Sequence, residues 1–160
     1  MKLDPYFRKF NHNKMTFGIT YCTSENFILV LSHDEVVHLK CSMINKMPGE
    51  YEDKFANLKV GYTFMLGHPG KKLLFMGQDF GQFHEWDEKV SLDWYLAEEE
   101  SHKKLQEYVR DLLHIYRKYP CLYHLDNDWN GFQWINADDG DRSIFSFLRR
   151  DETGKKNLLF

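Results

Sequence analysis

Long apolar runs, a strong charge of one sign and paired cysteines are all scarce in this chain. No apolar run approaches the roughly 20 residues of a membrane span, so we expect no membrane partner. The net charge of −3 and the pI near 6.2 give no electrostatic reason to expect a nucleic-acid partner. The three cysteines are an odd set without close spacing, and the first residues lack a secretory signal pattern. We therefore expect reduced thiols and a cytoplasmic location.

The rest of the composition suits one folded domain. The chain has 160 residues, of which 42% are hydrophobic and 16% aromatic, enough to form a core. Aromatic side chains can stack on sugar rings, but they fill cores more often. Composition alone therefore leaves the function open.

A short apolar segment that ends in ionisable residues is the most informative stretch. Residues 27–31 are apolar and include two β-branched side chains, which predicts a strand buried on both faces. Ser32, His33, Asp34 and Glu35 follow at once, and a core would reject them. Because α/β enzymes carry reactive side chains at the carboxyl ends of parallel strands, we expect a site here.

Three interpretations of the segment 32–38 compete. Metal binding through His33, Glu35 and His38 is disfavoured, because the zinc-protease pattern needs two histidines four residues apart on a helix and these are five apart. A polar turn that caps a strand is the ordinary interpretation. The third is a sugar-processing site, in which a carboxylate and an imidazole bind neighbouring hydroxyls. The spacing does not separate the last two.

Periodicity predicts helices that alternate with strands in the first 120 residues. Apolar residues recur at helical spacing over residues 51–66 and 101–119, and Asn13 is expected to cap a helix that ends near Thr23. A second apolar run, residues 72–76, predicts another buried strand. This alternation indicates parallel β/α units.

The second predicted strand also ends in polar residues. Gln78 and Asp79 follow it, and in a parallel sheet they should face the same cleft as Asp34. Beyond Pro120 the pattern changes, and residues 132–135, 143–148 and 157–160 are typical of antiparallel strands. Two buried parallel strands cannot form a sheet with both faces covered. Either further strands escape detection or the chain is part of a larger protein.

Several ordered segments point to one family. They are Met1–Pro5, Ser24–Phe27, Ser32–His38, Ser42–Gly49, Lys54–Leu58, Gly67–Gln78 and Ser91–Trp94. Together they resemble the bacterial 1,4-alpha-glucan (glycogen) branching enzymes of the alpha-amylase superfamily, and the resemblance covers nearly all of the chain. One departure is Leu39, where the family usually has a glycine suited to left-handed backbone.

The resemblance implies an α/β fold and a function. Residues 1–120 would be the last two β/α units of a (β/α)8 TIM barrel, and residues 121–160 would begin an antiparallel β-sandwich domain. The chain would be a fragment of a glycogen branching enzyme, a glycosyltransferase that cleaves alpha-1,4 glucosidic bonds with retention and makes alpha-1,6 branches. Its substrate would be an alpha-glucan such as glycogen or amylose, with no cofactor and no metal.

The resemblance also implies roles for individual residues. Asp34 would be the carboxylate that stabilises the transition state, and His33 its hydroxyl-binding neighbour. A carboxylate suits this role because it accepts strongly from hydroxyls and opposes developing positive charge. Gln78 and Asp79 are expected to line the substrate cleft, and Trp86 to stack on a sugar ring, although packing is the commoner fate of a tryptophan.

No motif in the chain matches the family's nucleophile or general acid. Because retaining chemistry needs both groups, we expect the chain alone to be inactive. Unpaired strand edges predict that the isolated fragment self-associates. The alternative function is a non-catalytic glucan-binding or assembly module of the same ancestry. A reading frame that extends upstream with two more acidic strand-end motifs would favour the enzyme.

Overall fold

The computed structural model describes residues 1–160, with four α-helices and five strands. The helices are α1 (Pro5–Arg8), α2 (Asn13–Thr16), α3 (Tyr51–Gly67) and α4 (Glu100–Lys118); the strands are β1 (Ile28–Leu31), β2 (Lys71–Leu74), β3 (Phe132–Asp139), β4 (Ile144–Arg150) and β5 (Asn157–Leu159). The residues form two compact units: the first contains Met1–Lys2, Val30–Thr63 and Leu73–Leu113, and the second contains Leu3–Leu29, Phe64–Lys72 and His114–Phe160.

The N-terminal region consists of short helical turns. The helix predicted from Asn13 to Thr23 is too long: an α-helix begins at Asn13 but ends at Thr16. α1 begins after Asp4, whose carboxylate accepts a hydrogen bond from the Tyr6 N–H at 2.9 Å. α2 lasts only four residues and continues as a 3-10 turn over Phe17–Tyr21. Gly18 and the neighbouring β-branched side chains lower helix propensity, which accounts for the break.

β1 and β2 form a two-stranded sheet. The Lys71 N–H donates to the Phe27 carbonyl, and the Phe75 N–H donates to the Leu31 carbonyl. From the first hydrogen bond to the second, the donor moves from residue 71 to 75 and the acceptor from residue 27 to 31. Both strands therefore run in the same direction, and their predicted parallel pairing is confirmed.

Burial on both faces, which the apolar runs predict for these strands, is wrong. Burial alternates along both strands, and Ile28 is 54% exposed and Val30 46% exposed. In β2 the side chain of Leu73 is 40% exposed. Side chains alternate between the faces of a strand, so the exposed residues share one uncovered face.

The two long helices confirm the periodicity analysis. α3 extends the predicted helix by one residue and buries Phe55, Leu58, Tyr62 and Leu66. α4 begins and ends one residue earlier than predicted, and its buried stripe includes His102. Both helices end within one residue of the predicted position, since a His-Pro-Gly sequence follows α3 and a proline lies two residues beyond α4.

The last three strands form an antiparallel sheet in the order β3-β4-β5, as predicted. β3 is longer than predicted and carries register shifts after Trp134 and Asn136. The core of this unit joins Phe132 and Phe147 to Ile19 and Cys22. A β-sandwich domain beginning at residue 121 stays a prediction.

Candidate functional site

The polar residues after β1 form a short exposed turn. His33–Glu35 is a single 3-10 turn whose N-cap is Ser32, and the Ser32 Oγ accepts a hydrogen bond from the Asp34 N–H at 3.2 Å. Serine is favoured at this position because its hydroxyl satisfies an N–H that the helix leaves unpaired. The cap leaves the Asp34 side chain 72% exposed, with the His33 Nε2 at 3.5 Å from its Oδ1. A carboxylate and an imidazole are therefore presented together to solvent.

Two aromatic rings also lie next to the imidazole. The His33 ring centroid lies 5.5 Å from that of Trp86 and 6.0 Å from that of Phe75. The Phe75 and Trp86 rings meet edge to face at 5.6 Å, a favourable geometry for aromatic pairs. The structure thus brings together three of the predicted site residues, His33, Asp34 and Trp86.

Gln78 is buried at the end of the sheet. Its side chain is 4% exposed, and its Nε2 donates to the Leu31 carbonyl at 3.2 Å. Its backbone carbonyl accepts a hydrogen bond from the Tyr62 hydroxyl at 2.9 Å. The Gln78 side chain therefore connects the turn after β2 by a hydrogen bond to Leu31, the last residue of β1, which immediately precedes the Ser32 cap.

Asp79 is half-buried and contacts a helix. Its Oδ2 accepts a hydrogen bond from the Gln106 Nε2 of α4 at 3.0 Å. Burial, with a smaller contribution from the Asp79 charge, raises the pKa of the Tyr62 phenol above its ordinary value. The contacts of Gln78 and Asp79 are thus with the protein, and their roles as cleft-lining residues stay predictions.

Replacing Tyr62 with phenylalanine is expected to lower the free energy of unfolding by about 1–2 kcal/mol, because the Gln78 carbonyl loses its donor in a buried environment. Equilibrium urea unfolding of the chain would measure this. Tyr95→Phe is the matched control: Tyr95 is 64% exposed, so its change should stay within about 0.5 kcal/mol. Equal effects of the two substitutions would contradict the assigned role of the Tyr62 hydroxyl.

A cavity adjoins the aromatic cluster. Its volume is about 910 Å³, and it is lined by residues 82–93 and by four residues of the segment after β1, a size that suits a ligand. Trp86 belongs both to this lining and to the cluster around His33. Within the lining, the His84 Nδ1 lies 2.7 Å from an oxygen of Asp93. The sequence analysis missed this pair: Asp93 lies in the family-like segment Ser91–Trp94, but nothing in the sequence connects it with His84.

Metal chemistry has no evident site in the chain. No group of three or more His, Cys, Asp or Glu side chains is arranged to hold a metal ion. Trp94, in the 3-10 turn Trp94–Glu98, is 59% exposed, and its ring centroid lies 5.5 Å from that of Phe80. None of the four helices is long and apolar enough to cross a membrane.

Comparison with known proteins finds similar sequences in several bacteria. No protein-family model matches it. Proteins named 1,4-alpha-glucan branching enzyme GlgB are 65% identical over 160 residues in Butyrivibrio fibrisolvens, 52% over 159 in Rhodopseudomonas palustris (strain BisA53) and 53% over 156 in Aquifex aeolicus (strain VF5). These matches cover 100%, 99% and 98% of this chain but only 25%, 22% and 25% of the relatives. The chain thus spans about a quarter of the length of the curated relatives it matches.

Proposed function

We propose that this chain is part of a 1,4-alpha-glucan branching enzyme and that Asp34 is its transition-state-stabilising carboxylate. The observation that carries the proposal is similarity to enzymes of that name along nearly the whole chain. The exposed His33 and Asp34 pair beside Trp86, at the carboxyl end of a parallel strand, supports the assignment of the site.

The reaction would follow the retaining course. One carboxylate attacks the anomeric carbon while a carboxylic acid protonates the leaving oxygen, and the two groups lie roughly 5–5.5 Å apart. The covalently held glucan then passes to a 6-hydroxyl of another glucan, which makes an alpha-1,6 branch. Both of these groups would come from the part of the protein that the relatives possess and this chain does not span.

The residues of this chain would bind the sugar and oppose positive charge. The Asp34 carboxylate would accept hydrogen bonds from the sugar 2- and 3-hydroxyls and stabilise the oxocarbenium-like transition state. His33, held at 3.5 Å from Asp34 and against two aromatic rings, would bind a neighbouring hydroxyl. The ring of Trp86 would stack on a glucose face along the adjoining cavity.

The proposed fold follows the same similarity. Residues 1–120 would complete a (β/α)8 barrel with its last two β/α units, and residues 121–160 would begin a β-sandwich domain. The uncovered face of β1 and β2 supports this, because barrel strands are covered on both faces. The substrates would be glycogen and amylose, and the enzyme would work in the cytoplasm.

A glucan-binding module without catalysis is the second candidate. The cavity of about 910 Å³ beside Trp86 favours it, since a groove with an aromatic platform can hold a glucan without any catalytic pair. The two candidates differ in whether Asp34 matters for turnover or only for binding.

Grafting the chain into a relative tests the proposal. The 160 residues would replace the matching quarter of the Butyrivibrio fibrisolvens enzyme. We expect this chimera to branch amylose and the chain alone neither to branch nor to cleave it, because the chain lacks a nucleophile and an acid at fixed separation. Loss of iodine staining and release of new reducing ends measure the two reactions.

The same samples test the module and the exposed strand face. A chimera that binds amylose but never branches it would favour the module, and activity of the chain alone would contradict the proposed division of the site. By light scattering we expect the chain alone to self-associate, since two strands with an uncovered apolar face expose edges and surface. A stable dilute monomer would contradict that expectation.

A further inference from the structure

Two residues of the loop after His38 adopt left-handed backbone without being glycine. Leu39 has φ +69° and Cys41 has φ +63°. The sequence analysis left the backbone conformation at Leu39 open, and the structure makes it left-handed. Side chains larger than glycine rarely adopt it and persist there only when their surroundings hold them. Leu39 is 84% exposed, so its own packing does not hold this turn.

The Glu85 carboxylate, more than 40 residues away in sequence, holds the turn at 39–41 instead. The Glu85 Oε1 accepts a hydrogen bond from the Cys41 N–H at 2.6 Å, and the Oε2 accepts from the Leu39 N–H at 3.0 Å. The Nδ1 of His38 lies 3.6 Å from the same Oε2. Two convergent backbone N–H groups form a concave anion site, which Glu85 fills from within the protein.

Lys40, which lies between Leu39 and Cys41, contacts the turn that carries Asp34. The Lys40 Nζ donates a hydrogen bond to the Asp34 backbone carbonyl at 2.7 Å. Next to Glu85, the Trp86 N–H donates to the Val36 carbonyl at 2.8 Å. Segment 34–41 is therefore tied to residues 85 and 86 at three backbone positions, with Lys40 as the link to Asp34.

The charge of Glu85 suits this role. Hydrogen bonds from Cys41 and Leu39, opposed by partial burial and aided by His38, hold the pKa of the Glu85 carboxyl below its ordinary value of 4.5. The carboxylate therefore stays ionised near neutral pH, where both N–H bonds to it are charge-assisted.

We propose that Glu85 is a positioning residue for Asp34: it holds the left-handed turn at 39–41 so that Lys40 anchors the backbone of Asp34. The inference rests on the proposed function of Asp34. Both carboxylate oxygens of Glu85 accept hydrogen bonds from backbone amides, so it acts through the turn and is not itself catalytic. Misplacing a catalytic group by about 1 Å through a change away from the chemistry can cost on the order of 10²-fold in rate.

The test uses the chimeric branching enzyme with four variants: Glu85→Ala, Leu39→Gly, the double variant, and Glu107→Ala as a control on an exposed position of α4. Glu85→Ala should lower kcat by about tenfold, because even a small misplacement of a catalytic group slows the reaction. It should change the KM for amylose by less than about twofold, because the position of Asp34 matters most in the transition state. The control should match the parent.

Recovery of activity in the double variant would show that Glu85 positions the turn and does not merely stabilise the fold. Glycine adopts left-handed backbone without strain, so Leu39→Gly added to Glu85→Ala should restore kcat to within about threefold of the parent. Hydrogen exchange in the peptide 36–42 should quicken by about tenfold in Glu85→Ala, because two amides lose their acceptor. A parental kcat, unchanged exchange, or lost activity without rescue would each overturn the inference.

The failure of each hypothesis gives a different result. A folded parental chimera that never branches glucan would overturn the proposed function, and with it this inference. A fully active chimera in which Glu85→Ala behaves like the Glu107→Ala control would overturn the inference alone.

Discussion

Asp34→Asn in the chimeric enzyme is expected to lower branching kcat by about 10²–10³-fold, the range for removing a group that stabilises transition-state charge. Asparagine keeps the size of the side chain but replaces one acceptor oxygen with an NH2 donor. Its neutral amide cannot oppose the positive charge that develops on the sugar ring. Asp34 is 72% exposed, so the free energy of unfolding should change by less than about 0.5 kcal/mol.

The matched control for that experiment is Asp141→Asn, which changes an exposed aspartate in the turn between β3 and β4. Iodine staining of amylose measures branching, and the circular dichroism melting curve verifies that each variant is folded. The control should keep the parental kcat. If Asp34→Asn retained close to the parental rate, Asp34 would be removed from the catalytic set, and the binding-module alternative would gain support.

Local patterns explain why part of the site was predictable. The change from the apolar run ending at Leu31 to four polar residues marks the end of a strand, and the structure has its 3-10 turn there. Helical periodicity predicted α3 and α4 to within one residue at each end. These features depend on neighbours in sequence, so a pattern of period 2 or 3.6 records them.

Contacts between distant segments left no such pattern. The bond between Glu85 and the amides of Leu39 and Cys41 joins residues more than 40 positions apart, and an acidic residue in a loop predicts no particular partner. The uncovered faces of β1 and β2 were not predicted for a related reason. An apolar run shows that a strand can be buried on both faces, but it does not show whether other elements of the chain pack against those faces. The predicted N-terminal helix failed for a local reason, since Gly18 has a low helix propensity and the α-helix ends before it.

A second large effect is expected in the antiparallel sheet, where Arg149 is fully buried. Its Nη2 donates to Asp126 at 2.9 Å, its Nη1 to the Gly67 carbonyl at 2.8 Å, and its Nε to the Gly131 carbonyl at 3.1 Å. The alternation of β4 places Arg149 on the same face as the core residue Phe147. The sequence therefore contained a signal that this arginine points inward, although nothing in it indicated the partner.

The charge of the partner depends on this arginine. Burial alone would raise the pKa of the Asp126 carboxyl, but hydrogen bonds from Lys71 and Arg149 hold it below its ordinary value of 3.8. A carboxyl with a lowered pKa in the folded state stabilises the fold above its ordinary pKa, and this stabilisation is lost as the pH falls through the folded-state value. At neutral pH the pair therefore contributes fully.

Arg149→Met is expected to lower the free energy of unfolding by about 3–5 kcal/mol at pH 7. It removes the guanidinium from the buried Asp126 carboxylate, which keeps only Lys71 as a charged partner, and it removes the Arg149 donors from the Gly67 and Gly131 carbonyls. Arg150→Met, on the same strand but with its side chain bonded at the surface to Gln133, is the control and should cost less than about 1 kcal/mol.

Urea unfolding at pH 7 and at acidic pH tests the origin of the Arg149 effect. The deficit of Arg149→Met should shrink as the pH falls and Asp126 takes up a proton, because a neutral carboxyl costs less to bury without a cation. The double variant Arg149→Met/Asp126→Asn should lose less than the sum of the single losses, by about 0.5–3 kcal/mol. Strictly additive losses, or a deficit independent of pH, would show that the guanidinium acts through packing rather than through its charge.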